Sequence, residues 1–181
     1  MKKRIVVVCL LIALLAMVST GTIAYFTVNQ KAQNAITTGE LSFQLHQTTA
    51  DGTPYPDEPI VIMPGDVQSK IVTVENTGMR PMYLRIKLTA AVNDGALDAT
   101  ECMLLDINES DWIVDGEYYY YKTALEAGET TTPLFTQVTF VGNRVTNAYL
   151  GKLLSLDVAA FAVQSDHNGT APQDAVGWPE E

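Results

Sequence analysis

The chain has 181 residues, 21 acidic against 11 basic, for a net charge of −10. Such an acidic balance argues against nucleic acid and anionic membrane surfaces as partners, because both repel it. Two cysteines, at positions 9 and 102, exclude a disulfide scaffold and leave stability to a packed core.

Lys2, Lys3 and Arg4 form a positive start, and residues 5 to 18 follow as an apolar run of 14 residues without charge or proline. Ser19, Thr20 and Gly21 end the run, and Thr22-Ile23-Ala24 offers a small-x-small cleavage site. This is the layout of a secretory signal peptide. The run is shorter than the roughly 20 residues that span a bilayer. Residues 1–24 are therefore expected to be removed, with Tyr25 as the new N-terminus and a secreted product. The alternative is an uncleaved anchor, since Ile23 to Phe26 prolong the apolar stretch. Cys9 makes a poor lipoprotein site, because it lies inside the run and follows Val8. Removing 24 of 181 residues leaves 157, with eight basic and 21 acidic side chains and a net charge of −13. Cys102 is then alone and is expected to be buried as a small hydrophobe.

Residues 25–38 begin apolar and turn polar, as an extended N-terminal segment would. The body of the domain is expected over 39–164. Leu41, Phe43 and Leu45 alternate with Ser42, Gln44 and His46, which predicts a strand with one buried face. Residues 48 to 59 hold three prolines and a glycine and read as a loop. After the turn Pro64-Gly65-Asp66, a strand is expected over 67–75, ending at the turn Asn76-Thr77-Gly78. Met82, Leu84, Ile86 and Leu88 then alternate with Tyr83, Arg85, Lys87 and Thr89, which predicts a core strand with one wet face. Residues 93–111 read as an acidic connection with one short helix near 101–105. Further strands are expected over 118–122, 134–141 and 154–163. The polar tail, 165–181, is expected to be loosely ordered. Short strands separated by turn signals predict an all-β, antiparallel sandwich behind the cleavable leader.

Chemistry is harder to find. Zinc peptidases need convergent ligands, commonly two histidines on one helix turn. Only His46 and His167 are present, and neither has a second histidine four residues on. No G-x-S-x-G occurs, and no motif gives Cys102 a histidine partner. We therefore expect no catalytic residues, no metal ligands and no resident cofactor. Calcium held loosely by the acidic stretch 106–117 is the one ion left open. Asp106, Asn108, Ser110 and Glu117 fit an EF-hand spacing, but Asp111 stands where the sharp turn needs glycine. Tyr118, Tyr119, Tyr120 and Tyr121 form a tyrosine run whose alternate members point to opposite faces of a strand. One pair can fill the core while the other makes cross-strand contacts, or one pair can face a partner subunit or a polysaccharide. The N-glycosylation patterns at Asn108 and Asn168 carry no weight.

Several stretches together resemble the TasA/camelysin family of exported proteins from Gram-positive bacteria. They are GTIAYFTVNQ with TTGELSFQL, PGDVQSKIVTVENTGMRPMYLRIKLTA, EYYYYKTALEAGETTTPLFTQVTF and LLSLDVAAFAVQ, in that order. The resemblance implies a jelly-roll-like β-sandwich and processing by a specialised, ER-type signal peptidase at Thr22, Ala24 and Tyr25. It implies a structural subunit of extracellular or cell-surface fibres in a biofilm matrix. In such fibres the N-terminal segment, here headed by Tyr25, Phe26 and Val28 and including Ile36, completes the sheet of the next subunit. Matrix polysaccharide and minor fibre proteins are the further partners it implies. The camelysin label carries the competing reading, a surface metalloendopeptidase, and a monomeric adhesin with exposed aromatics is a third.

Overall fold

The alternating stretches of the sequence form strands that pair antiparallel throughout. The computed structural model describes residues 41–56, 65–92, 98–141 and 154–179. Among them are nine strands: β1 (Phe43–Thr48), β2 (Val67–Ser69), β3 (Ile71–Asn76), β4 (Met82–Val92), β5 (Met103–Leu105), β6 (Trp112–Asp115), β7 (Tyr118–Tyr121), β8 (Gln137–Phe140) and β9 (Leu154–Gln164). The only helical pieces among the described residues are 3-10 turns at Ala99–Glu101 and Pro172–Asp174. The fold is all-β.

A four-stranded sheet runs in the order β6-β7-β4-β9. Its spine is β4 against β9, in register from Met82 opposite Gln164 to Val92 opposite Leu154, eleven pairs without a bulge. β1 pairs with β3, and β2, β8 and β5 form a third group in the order β2-β8-β5. These last two groups are linked, since only Lys70 separates β2 from β3. The free side of β3 bonds to the irregular chain before β8: Thr131 donates to the Val74 carbonyl and Leu134 to the Val72 carbonyl, both at 2.9 Å. Faces of all three groups meet in one hydrophobic core, with Phe43, Val74, Leu84, Ile86, Phe140 and Ala162 among its members. Burial of such side chains contributes about 1.5–3 kcal/mol each.

Several expectations change. The stretch 67–75 is two strands, because Lys70 turns inward. It is 7% exposed, its Nζ donates to the Leu156 carbonyl at 3.1 Å, and it lies 4.5 Å from the centre of the Tyr55 ring. The helix expected near 101–105 is only the turn Ala99–Glu101. Asp98 caps it by accepting from the Thr100 backbone at 2.8 Å, and the chain then extends into β5. The supposed connection 93–111 thus contains an edge strand, and β6 follows it over residues to which the sequence reading gave no element. Strand 134–141 shortens to β8, since Thr131, Leu134 and Phe135 bond to β3 irregularly before it starts.

The outward face of β4 is wet at Thr89 and half-covered at Arg85 and Lys87, but toward its start it is buried. Tyr83 on β4 and Phe161 and Val163 on β9 point away from the core, yet they are 8%, 2% and 4% exposed. Their cover is the tail, which folds back as a strap. Pro172 is fully buried and Ala175 is 7% exposed.

Leu84 is wholly enclosed, whereas Leu156 is only partly buried against the core. Leu84→Ala should therefore lower stability by about 2–5 kcal/mol. Leu156→Ala should cost clearly less, because part of its side chain already meets water. Urea denaturation of the two variants checks the order.

Candidate functional site

Two features of the four-stranded sheet merit consideration as sites: its strap-covered outer face and its outer edge. Alternation along β7 sends Tyr119 and Tyr121 to the core side, where they pack against the main cluster. Tyr118 and Tyr120 face outward. There they meet Arg85, which the β4 register sets opposite Tyr120 on one side and Phe161 on the other. The Arg85 guanidinium carbon lies 3.8 Å from the centre of the Tyr118 ring, 4.6 Å from Trp178 and 5.4 Å from Phe161. Ring faces carry negative charge density, and each such stack stabilises a cation by about 0.5–2 kcal/mol. Arg85 Nη2 also donates to the Pro179 carbonyl at 3.3 Å. Trp178 sets its ring edge-on to Tyr120 at 5.7 Å and packs with Tyr83, Val163 and Ala175. Thus all four tyrosines are engaged, two with the core and two with Arg85 and its surroundings.

Sequence reading missed the strap because its anchors are far apart in the chain. The legible signal was a tail holding Trp178 and Pro172 and, on the supposed wet face, the apolar side chains of Tyr83, Phe161 and Val163.

The edge is β9. It is the last strand of its sheet, and no strand lies on its other side among the described residues. A sheet edge exposes unpaired N–H and C=O groups, and edges are usually blunted by lysine, proline, bulges or brevity. β9 runs for eleven residues, LSLDVAAFAVQ, with Asp157 its one charge and no proline. Its ladder with β4 contains no bulge. β1 is also an edge, and both strands have carbonyls that accept from outside their ladders: Tyr55 donates to the Gln47 carbonyl of β1 at 2.8 Å, and on β9 Leu156 accepts from Lys70 and Gln164, at the strand's end, from Asn168.

The acidic stretch 106–117 is tied into the structure. Asp106 accepts from the backbone N–H of Thr136 at 2.9 Å and of Gln137 at 2.8 Å, and from the Thr136 hydroxyl. Burial pushes this carboxyl up, but the Thr136 hydroxyl and the two backbone donors together outweigh it and hold it below the usual range. Asp111 accepts from the Thr132 hydroxyl at 2.8 Å and from the Asn108 amide at 3.0 Å. Both bonds lower its pKa, the threonine first. A strand rather than a helix occupies 112–115. Among the described residues there is no group of three or more His, Cys, Asp or Glu side chains placed to hold a metal.

His46 on β1 bonds to Glu75 on β3 at 3.0 Å, and His167 sits in the turn that begins the strap. Cys102 is fully buried, donates to the Ala99 carbonyl, and has its thiol pKa raised by burial. A thiol held protonated and enclosed is a poor nucleophile. Thr22, Ala24, Tyr25, Phe26, Val28 and Ile36 lie outside the described residues, as do the leader and the 25–38 segment that contain them. Comparison with known protein families, with curated proteins and with solved structures finds no match for this chain.

Asp106 is a staple between the start of β8 and the chain after β5. Because its pKa is lowered in the fold, its contribution is complete above the ordinary aspartate value, about 3.9, and is lost as pH falls through the lowered value. Asp106→Asn should cost about 1 kcal/mol at neutral pH, the low end for a bond to a charged group because water screens the exposed carboxylate. The difference from wild type should close once the pH lies below that lowered value. Urea melts of both proteins at the two pH values provide the check.

Proposed function

We propose that the chain is an exported structural subunit of extracellular or cell-surface fibres in a biofilm matrix. In this reading the domain is a jelly-roll-like β-sandwich freed from its leader by a signal peptidase acting after Ala24. Each subunit then lends residues 25–38 as an added strand to the next. The observation that carries the reading is the outer edge of β9, which is long, free of bulges and proline, and charged only at Asp157. Strand addition to such an edge satisfies its backbone groups and leaves side chains to set the register.

The donor fits this acceptor in length and charge. Residues 25–38 number fourteen, against eleven in β9, and contain Lys31 but no acid. The rest of the mature chain holds all 21 acidic residues, so the donor carries no charge that the acidic domain repels. Because one copy donates and another accepts, the contact is head-to-tail and does not close on itself, which gives a fibre. The resemblance of the motif order to TasA-like proteins supports the same conclusion. The peptidase and adhesin readings have less support, given the bonded His46 and the engaged tyrosines.

N-terminal sequencing of the exported protein should begin at Tyr25; a product that keeps residues 1–24 is an anchor instead. A chain beginning at Thr38 should keep its β circular dichroism yet stay monomeric by light scattering, under conditions in which the chain from Tyr25 grows. Fibres from the shortened chain would show that the segment is not the donor. Ser155→Lys, which adds a charge at an exposed β9 position, should slow growth without unfolding the domain.

A further inference from the structure

The strap is fastened at its base by a dipeptide whose two residues the turn requires. Asn168 is the latch. Its side-chain amide donates to the Gln164 carbonyl at 2.9 Å and to the Val176 carbonyl at 3.0 Å, while its oxygen accepts from the Val176 N–H at 2.9 Å. The position needs two donors and an acceptor on one short side chain, and asparagine supplies them. Gly169 is required for two reasons. Its φ of +81° is left-handed, and a Cβ there would stand 3.2 Å from the Asp174 carbonyl carbon. Yet asparagine followed by glycine is also the pair in which the side-chain amide cyclises most readily, because no Cβ hinders the following nitrogen. The turn therefore places a labile bond at the hinge of the strap.

We propose that Asn168–Gly169 is a self-modification site whose reaction releases the C-terminal strap. The Gly169 backbone nitrogen attacks Asn168 Cγ and gives up its proton. A new N–Cγ bond forms, the Cγ–Nδ2 bond breaks, and Nδ2 departs as ammonia. Water then opens the five-membered imide at either carbonyl, leaving aspartate or its isoaspartyl isomer. One water enters and one ammonia leaves, with no change of oxidation state. Either product removes both donors of the latch and sets a carboxylate against the Gln164 and Val176 carbonyls. The isoaspartyl form also adds a carbon to the backbone.

While the strap is closed, three hydrogen bonds hold the Asn168 side chain on its partners, so ring closure waits for opening. Terminal segments with small buried clusters open most easily. Once the amide is lost the latch does not re-form. The change therefore runs one way, from a strap packed on Arg85 to a free strap with Tyr83, Tyr120 and Val163 uncovered. This holds whether or not the chain builds fibres.

The test is to hold the purified protein at mildly alkaline pH and follow Asn168 by peptide mass spectrometry. Quenching of tryptophan fluorescence is followed in parallel. Trp112 is 2% exposed and shielded, so new quenching reports Trp178. Conversion of Asn168 should rise together with quenching. Trp178→Ala, which loosens the strap, should convert several-fold faster than wild type. Asn168→Asp should begin with Trp178 open to the quencher while its β circular dichroism stays intact. The proposal is overturned if Asn168 keeps its amide in the folded protein while a free peptide of the same sequence loses it. It is equally overturned if Trp178→Ala leaves the rate unchanged, or if Asn168→Asp leaves Trp178 no more open to the quencher than in wild type.

Discussion

A positive charge placed on a covered face organises the outside of this molecule. Arg85 sits near the middle of β4, pointing away from the core, with β7 on one side and β9 on the other. Arg85 is half-buried, and a guanidinium drawn partly out of water must recover the hydration it loses. Here the rings of Tyr118, Phe161 and Trp178 and the Pro179 carbonyl supply that recovery. Arg85 Nε and Trp178 Nε1 are buried without a hydrogen-bond partner among the described residues, so the compensation is carried by stacking. Two of the aromatic groups come from neighbouring strands and one from the strap. The charge thus ties the tail to the sheet.

The same arrangement explains which parts of the fold could be read from sequence. Alternation in 82–88 and 154–163 marked the strands and the core side correctly, because burial against the other sheets repeats every second residue. It could not show that Tyr83, Phe161 and Val163 are covered too, since their cover is folded back from residues 165–179. β5 and β6 have three and four residues, too few for a period to emerge. β2 and β3 looked like one strand because Lys70 gives no local sign that it turns inward. Its burial depends on the Leu156 carbonyl, 86 residues later in the chain.

The chemistry was legible unevenly. The acidic stretch was visible as charge, but its role depends on Thr132 and Thr136, which pair with Asp111 and Asp106 only after folding. The tyrosine run was visible as two faces, and the structure gives each face a distinct neighbour. Asn168 appeared only as a glycosylation pattern, whereas its amide fastens the strap. The first two roles are set by contacts between distant segments, to which local pattern is blind; the bonds of Asn168 span only four and eight residues, but a turn leaves no period to read.

The β4–β9 ladder has a further consequence, one of timing. Met82 and Gln164 are 82 residues apart in the chain, and Val92 and Leu154 are 62 apart. Pairings this distant must close a large loop before any bond repays the lost entropy, and they form late and slowly. β9 also follows every other described strand in the chain, so the central sheet lacks one side of its spine until all the earlier strands have been made. A nascent chain of this topology stays loose while it lengthens. It acquires its rigidity only when the last strand docks and the sheet closes behind it.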